Sequence, residues 1–329
     1  MQNLNIPKKI LHWYDFNKRT LPWRKKVSKN KKEYFTLVSE FMLQQTQVKT
    51  VIPYFNNFIA KIPDLKSLAK VHDKKLMKCW EGLGYYSRAR NLKKTAVSII
   101  KKYNGNLPNN SDDLMSLPGI GKYTSSAILA IAFNKKIIPL DGNIERILKR
   151  VLFLKKESEI SKENLNKKKI FFGESERSSD YAQAIMEIGA LVCKPKNPNC
   201  VECPIISNCI SYKKKDFQIT KFNKLNKIKY FEANIFQNKL NKFYLEKNKK
   251  FNFLKEMPIF PMQEISNVDF QKNLGKKINI KMSNMDMSIL IKKSDKIEKM
   301  ENGFFLGINE FNNLTLPSFT KKIFSALNK

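Results

Sequence analysis

Four cysteines, Cys193, Cys200, Cys203 and Cys209, fall within seventeen consecutive positions in the pattern C-x6-C-x2-C-x5-C. Thiolates at that spacing can wrap one metal centre. A disulfide framework is a poor reading, because the chain has only five cysteines in 329 residues and nothing in it suggests secretion. Zinc ribbons show two CxxC knuckles and only Cys200 and Cys203 form one, so an iron-sulfur centre and a zinc ion both stay open here. The fifth cysteine, Cys79, sits beside Trp80 and reads as an ordinary semi-buried residue. A second chemistry lies upstream. In EYFTLVSEFMLQQTQVKTVIPYF, Leu37, Phe41, Val48, Val51, Ile52 and Phe55 recur at helical spacing, and Glu40 and Gln44 fall inside that apolar stripe. A carboxyl among apolar neighbours is disfavoured as an anion, so its pKa rises and Glu40 becomes a candidate general acid. Asp141 precedes a helical pattern in PLDGNIERIL and reads as its N-cap, which would hold a second carboxylate rigid and ionised.

The elements that must position these groups are mostly helical. From about residue 8 to 210 the periodicity predicts helices over segments such as 33–60, 64–79, 87–104, 111–117, 122–133 and 143–155, punctuated at Pro63, Gly105, Pro108 and Pro118-Gly119. Met1 to Phe16 reads as an amphipathic helix carrying Trp13 and Tyr14. Tyr212 to Lys229 is very basic and reads as a linker or a DNA-skirting arm. From about Tyr230 the texture changes to short, partly alternating apolar runs, YFEANIF, KFYLEK and MSILIKK, which predict strands, and Ser318 to Leu327 returns to a helical pattern. The expected fold class is a mainly α N-terminal part plus a smaller α+β C-terminal domain.

Sixty-two basic against 29 acidic residues leave a net charge of +33 and a pI near 9.9. Such a balance points to a polyanionic partner, nucleic acid first. Abundant Lys, Asn and Ile also look like compositional drift, which inflates charge on faces that touch nothing. The seven arginines, Arg19, Arg24, Arg88, Arg90, Arg146, Arg150 and Arg177, are therefore the more informative cations, since Lys cannot replace a planar fork. No apolar run is long enough to span a bilayer, so no membrane partner is expected.

LPGIGKYTSSAILAIAF (Leu117 to Phe133) joins a short helix, a Pro-Gly-Ile-Gly turn and a second helix. Gly119 and Gly121 permit backbone geometry closed to other residues and let peptide N–H groups approach an anion, with Lys122 next to them. This is a helix-hairpin-helix signature, which binds a DNA phosphate without reading sequence.

SEFMLQQTQVKTVIPYF, LPWR (Leu21 to Arg24), EGLGYYSRARNL (Glu81 to Leu92) and PLDGNIERIL, together with the hairpin and the cysteine run, resemble the MutY-type adenine DNA glycosylases of the endonuclease III superfamily. The resemblance covers residues 8–210 in consistent order. It implies a [4Fe-4S] cluster on Cys193, Cys200, Cys203 and Cys209 and double-stranded DNA containing A:8-oxoG or A:G mispairs as partner. Glu40 would protonate the extruded adenine, and Asp141 would stabilise or transiently trap the sugar cation, oriented by Asn143. Physically this pair is like the two carboxylates of a glycoside hydrolase, one protonated and one ionised. Gln45 and Tyr85 match residues that wedge into the duplex, with Leu83 near the lesion, and Arg24, which closes the LPWR motif, is expected to contact the DNA. Tyr123 stands where strand-cleaving relatives carry a Schiff-base Lys, which implies base excision without an efficient lyase step. Lys122 is one residue off, about 100° away on a helix.

The implied organisation is a glycosylase domain over 1–211 with its cluster loop at 193–209, a linker over 212–229 and a Nudix-like lesion-recognition domain over 230–329. Phe243 to Pro261 aligns with that domain's strand-loop-strand. Ser283 is kept from the family's Phe-Ser-His loop, while Met282 and Asn284 stand in for the aromatic and the His. Lys194 and Lys196 flank the cluster loop as candidate phosphate contacts. A cytoplasmic, nucleoid-associated monomer is expected. Two other readings are a bifunctional endonuclease III-like lyase for oxidised pyrimidines and a non-catalytic lesion-binding protein.

Overall fold

The computed structural model describes residues 5–219, 228–282, 285–294, 303–310 and 314–327. Ser283, Asn284 and residues 220–227 of the basic linker lie outside the described residues. The chain divides into two compact units, residues 1–71 with 91–222, and residues 72–90 with 223–329.

The first unit is helical. Its opening helix, Asn5–Asn17, places Ile6, Ile10, Leu11 and Tyr14 on one face, and that stripe is buried in a core with Ile144, Ile147, Leu148, Tyr181 and Ile185. The helices Lys29–Leu43 and Ser178–Glu187 both pack on Lys122–Phe133, and Ser178–Glu187 also packs on the opening helix. Glu40, Tyr123 and Glu187 are carried by these three packed helices.

Two predicted helices are each two. The segment 33–60 breaks at Gln44–Gln47, between Lys29–Leu43 and Val48–Lys61, because Gln45 adopts φ +57° and Gln47 is extended as the next N-cap. The apolar stripe read across that segment therefore belongs to two helix faces. Segment 64–79 divides into Leu65–Lys70 and Asp73–Trp80. Each has its own cap: Asp64 accepts from Ser67 N at 2.7 Å, and His72 Nδ1 from Lys74 N at 3.3 Å.

In the second unit the described strands are β1 (Ile228–Ile235), β2 (Phe243–Lys247), β3 (Pro258–Ile259), β4 (Met262–Ile265), β5 (Lys276–Met282), β6 (Met285–Lys293) and β7 (Gly303–Leu306). One sheet has the order β4-β1-β6-β5, with β1 and β6 parallel and the outer pairs antiparallel; the other has the antiparallel order β3-β2-β7. Alternation decides what faces inward. Phe231, Ala233 and Ile235 of β1 and Phe243 and Leu245 of β2 are buried in one core with Ile289, Ile323 and Phe324, under the helix Ser318–Leu327. The mainly α plus α+β class is what the structure shows. No helix among the described residues is long and apolar enough to cross a membrane.

Candidate active site

Glu40 occupies the last turn of Lys29–Leu43 and is 6% exposed. Burial above all, and then the nearby Asp141 carboxylate, push its carboxyl up to about 7, against the opposing pull of a hydrogen bond with Tyr123 and the charge of Arg24. Tyr123, in the first turn of the facing helix, is held well above the ordinary phenol value by burial and by both carboxylates, so it stays a protonated donor.

Asp141 is the N-cap of Gly142–Val151. Its Oδ1 accepts from Ile144 N at 2.7 Å and its Oδ2 from Asn143 Nδ2 at 3.0 Å. Burial raises this carboxyl too, while those hydrogen bonds and the charge of Arg146 favour its anion. The two acids thus share a site but differ in support. Glu40 is desolvated with one hydroxyl partner, whereas Asp141 has backbone, amide and guanidinium groups organised around it.

These residues line one cavity of about 1120 Å³, together with Trp23, Arg24, Asn143, Gln183 and Glu187. Its wall is fastened by a carboxylate that the sequence reading missed. Glu187 is fully buried and accepts from Arg19 Nε at 2.7 Å and Arg19 Nη2 at 2.9 Å, with Arg24 Nη1 at 2.9 Å. Such a carboxylate is tolerated only because two guanidinium forks surround it. A separation of some 165 residues hid this pairing; the retention of Arg19 and Arg24 among so few arginines was the available signal.

Arg146 ties Asp141 to the cysteine loop. Its Nη2 donates to Asn143 Oδ1 at 2.7 Å and Gly189 O at 2.6 Å, and its Nε to Cys193 O at 2.7 Å. Gly189 lies in the wide π turn Ile188–Val192, where a Cβ would stand 2.5 Å from Asn143 Cβ, so only glycine lets these segments approach.

Cys193, Cys200, Cys203 and Cys209 line a second cavity, walled by Ile147, Val151, Ile188, Val192 and Ile205. Arg150 is buried beneath the loop, donating to Cys193 Sγ at 3.3 Å, Lys194 O at 2.6 Å and Pro195 O at 2.9 Å. Burial pushes the Cys203 thiol up to about 12, and burial plus neighbouring thiols raise Cys200 and Cys209, so four thiolates coexist there only around added positive charge. Among the described residues no three Cys, His, Asp or Glu side chains gather as a single ion needs. Lys194 and Lys196 are exposed beside Cys193.

The hairpin runs from Ser111–Met115 to Lys122–Phe133. Gly119 has φ +81°, and a Cβ there would stand 2.9 Å from Asn91 Cβ and Phe41 Cε1. Gly121 does not share that constraint, contrary to expectation: it is the extended N-cap, with open space where a Cβ would sit. Lys122 is exposed at the helix start. Gln44 Nε2 donates to Gly119 O at 3.3 Å, while Gln45 is exposed. Leu83 and Tyr85 belong to the second unit; Leu83 is buried and Tyr85 exposed.

Residues 38–170 match the model of the HhH-GPD superfamily of base excision DNA repair proteins. The chain is 38% identical over 352 residues to the adenine DNA glycosylase of Buchnera aphidicola subsp. Baizongia pistaciae (strain Bp), covering 100% of this chain and 98% of that protein. It is 39% identical over 207 residues to the adenine DNA glycosylase of Homo sapiens, covering 61% of this chain and 38% of that protein. A solved thermostable thymine-DNA glycosylase superposes with a TM-score of 0.57 at 27% identity, over 64% of this chain and 96% of that one. A non-covalent endonuclease III–DNA complex shares the fold, with a TM-score of 0.53 at 23% identity over 65% of this chain and 98% of that one. The chain belongs to the HhH-GPD superfamily of base excision DNA repair proteins and, within it, to the adenine DNA glycosylases.

Proposed function

We propose that the protein hydrolyses the N-glycosidic bond of adenine mispaired with 8-oxoguanine or guanine in double-stranded DNA. The observation that carries this reading is the placement of Glu40 and Asp141 on one cavity, both desolvated, with Asp141 alone held by backbone and amide hydrogen bonds that favour its anion. Extruding the nucleotide costs a few kcal/mol, least at a mispair. In the cavity, the Glu40 carboxyl passes its proton to a ring nitrogen of adenine as the bond to C1′ breaks and its electron pair leaves with the base. The sugar is left as an oxocarbenium ion, which the Asp141 carboxylate stabilises. Water then adds to C1′, and a carboxylate of the pair takes the proton released, leaving an abasic site. Tyr123 hydrogen-bonds Glu40 throughout and has no amine to form a Schiff base.

The thiol cavity fits a [4Fe-4S] cluster. Four soft donors surround a space rather than a point, in an apolar shell with the Arg150 guanidinium at Cys193 Sγ. When bound, the cluster supplies a rigid cross-link for the loop, and through Arg146 that loop holds Asn143 and hence Asp141. Gly119 and Gly121 would take a backbone phosphate at the start of Lys122–Phe133. Residues 230–329 are read as a Nudix-like domain that senses the opposing base, with Ser283 and Asn284 as its contacts.

Duplexes carrying adenine opposite 8-oxoguanine or guanine provide the test. Purified protein should free adenine, strands should part only after alkali, and borohydride should trap no protein–DNA adduct. Strand scission without alkali together with a trapped adduct would instead make it a bifunctional lyase. No base release from any mispair would make it a lesion-binding protein.

A further inference from the structure

Two arginines are buried, Arg150 under the cysteine loop and Arg88 in the second unit. Arg88 is 6% exposed, in a chain where only seven of 62 cations are Arg. Its Nη2 donates to Leu83 O at 3.1 Å and to Gly84 O at 3.2 Å. Trp80 Nε1 donates to the same Gly84 carbonyl at 3.1 Å. The guanidinium lies 5.5 Å from the Trp80 ring and 5.2 Å from the Tyr85 ring, between the two faces. Above this assembly Tyr85 is 38% exposed with φ +47°, a conformation that a bulky L-residue adopts only when its surroundings impose it.

The groups that hold this turn are Arg88 and Trp80. We infer that Arg88, with Trp80, is a positioning residue for base extrusion: its fork holds the Leu83 and Gly84 carbonyls and its face carries the Tyr85 ring, so the ring is preset to enter the duplex. This rests on the reading of Tyr85 as a wedge. Lys at position 88 would keep the charge and lose both the two-carbonyl grip and the planar stack. A wedge helps only where stacking must be broken, so the effect should depend on how firmly the target adenine is stacked.

The experiment compares single-turnover excision by Arg88→Lys and wild type on two duplexes, one with adenine opposite 8-oxoguanine and one with adenine opposite an abasic site, already loosened. We expect Arg88→Lys to be slowed at least about tenfold on the first, which is about 1.4 kcal/mol in the barrier, and less than about threefold on the second. 2-Aminopurine beside the target should brighten less on binding. Equal slowing on both duplexes would mean that Arg88 merely supports the fold, and would overturn the inference. Tyr85→Ala is run alongside. Selective slowing by Tyr85→Ala without any by Arg88→Lys sinks this inference and leaves the wedge standing; no slowing by Tyr85→Ala sinks the wedge itself. Should Arg88→Lys fail to fold, Trp80→Phe decides, since it removes the Nε1 donor to the Gly84 carbonyl while keeping a smaller aromatic face under the guanidinium. Selective slowing of about two- to threefold supports the clamp, and an unchanged rate on both duplexes contradicts it.

Discussion

Replacing Glu40 by Gln is expected to slow single-turnover adenine excision by about 10²- to 10⁴-fold, the range a positioned general acid contributes, while duplex affinity stays within about threefold. The side chains are nearly isosteric, so the buried contact with Tyr123 is retained, but an amide cannot deliver a proton to the leaving base. Loss of fold is separable from loss of chemistry by linkage. Burial raises the Glu40 carboxyl from 4.5 to about 7 in the folded state. The folded protein therefore holds that proton more tightly than the unfolded chain. The associated stability is fully present below about pH 4.5 and is lost as pH rises through about 7. Gln removes this penalty, so at pH 8 the variant should unfold at the same or a higher temperature than the wild type. Excision undiminished by the change would remove Glu40 from the mechanism, and diminished excision with a collapsed melting temperature would leave its role undecided by activity alone, which is why both are measured on one preparation.

Asp141→Asn should be nearly as damaging, for a different reason. Asn is as good an N-cap as Asp, so Gly142–Val151 keeps its first-turn hydrogen bond and the fold survives. What disappears is the negative charge facing the sugar as it becomes a cation. Preorganised charges of this kind are worth about 10²- to 10³-fold, and excision under single-turnover conditions should fall by that much. A second signature accompanies the loss. After burial, the Asp141 charge is what holds the Glu40 carboxyl up, so removing it should move the pH dependence of residual excision toward acid. A rate within about threefold of wild type would show that the cation is stabilised elsewhere.

Much of this site was legible before any coordinates, though not all of it by the same route. Helical periodicity placed Glu40 in an apolar stripe, and from that alone its raised pKa followed. The partnership with Asp141 came from motif resemblance, and the hydrogen bond with Tyr123 was not foreseen, since residues about 80 to 100 positions apart carry no periodic sign of meeting. The structure brings all three onto one cavity. Local propensity misjudged the stretch around Gln45, where residues that could continue a helix instead turn the chain: Gln45 takes a left-handed φ, Gln47 caps the next helix, and the Gln44 side chain bonds the Gly119 carbonyl. The Glu187–Arg19–Arg24 cluster and the Arg146 linkage to Cys193 were not predicted, because ion pairs and forks across 47 to 168 residues leave no periodic pattern; the scarce arginines were the one sign of them. In the second unit, the strongly apolar β1, β2 and β6 were predicted. By contrast β5, KKINIKM, is an outer strand whose lysines dilute the alternation, and β4 and β7 are only four residues each.

The proposed mechanism rests on one desolvated glutamic acid that supplies the proton releasing adenine. Its most direct test is the pH dependence of single-turnover excision by the wild-type protein with saturating duplex. The rate should hold on the acid side of about pH 7 and fall roughly tenfold per pH unit above it, as the Glu40 carboxyl ionises. A rate that stays level to pH 9, on a protein still folded and bound to the duplex, would contradict it.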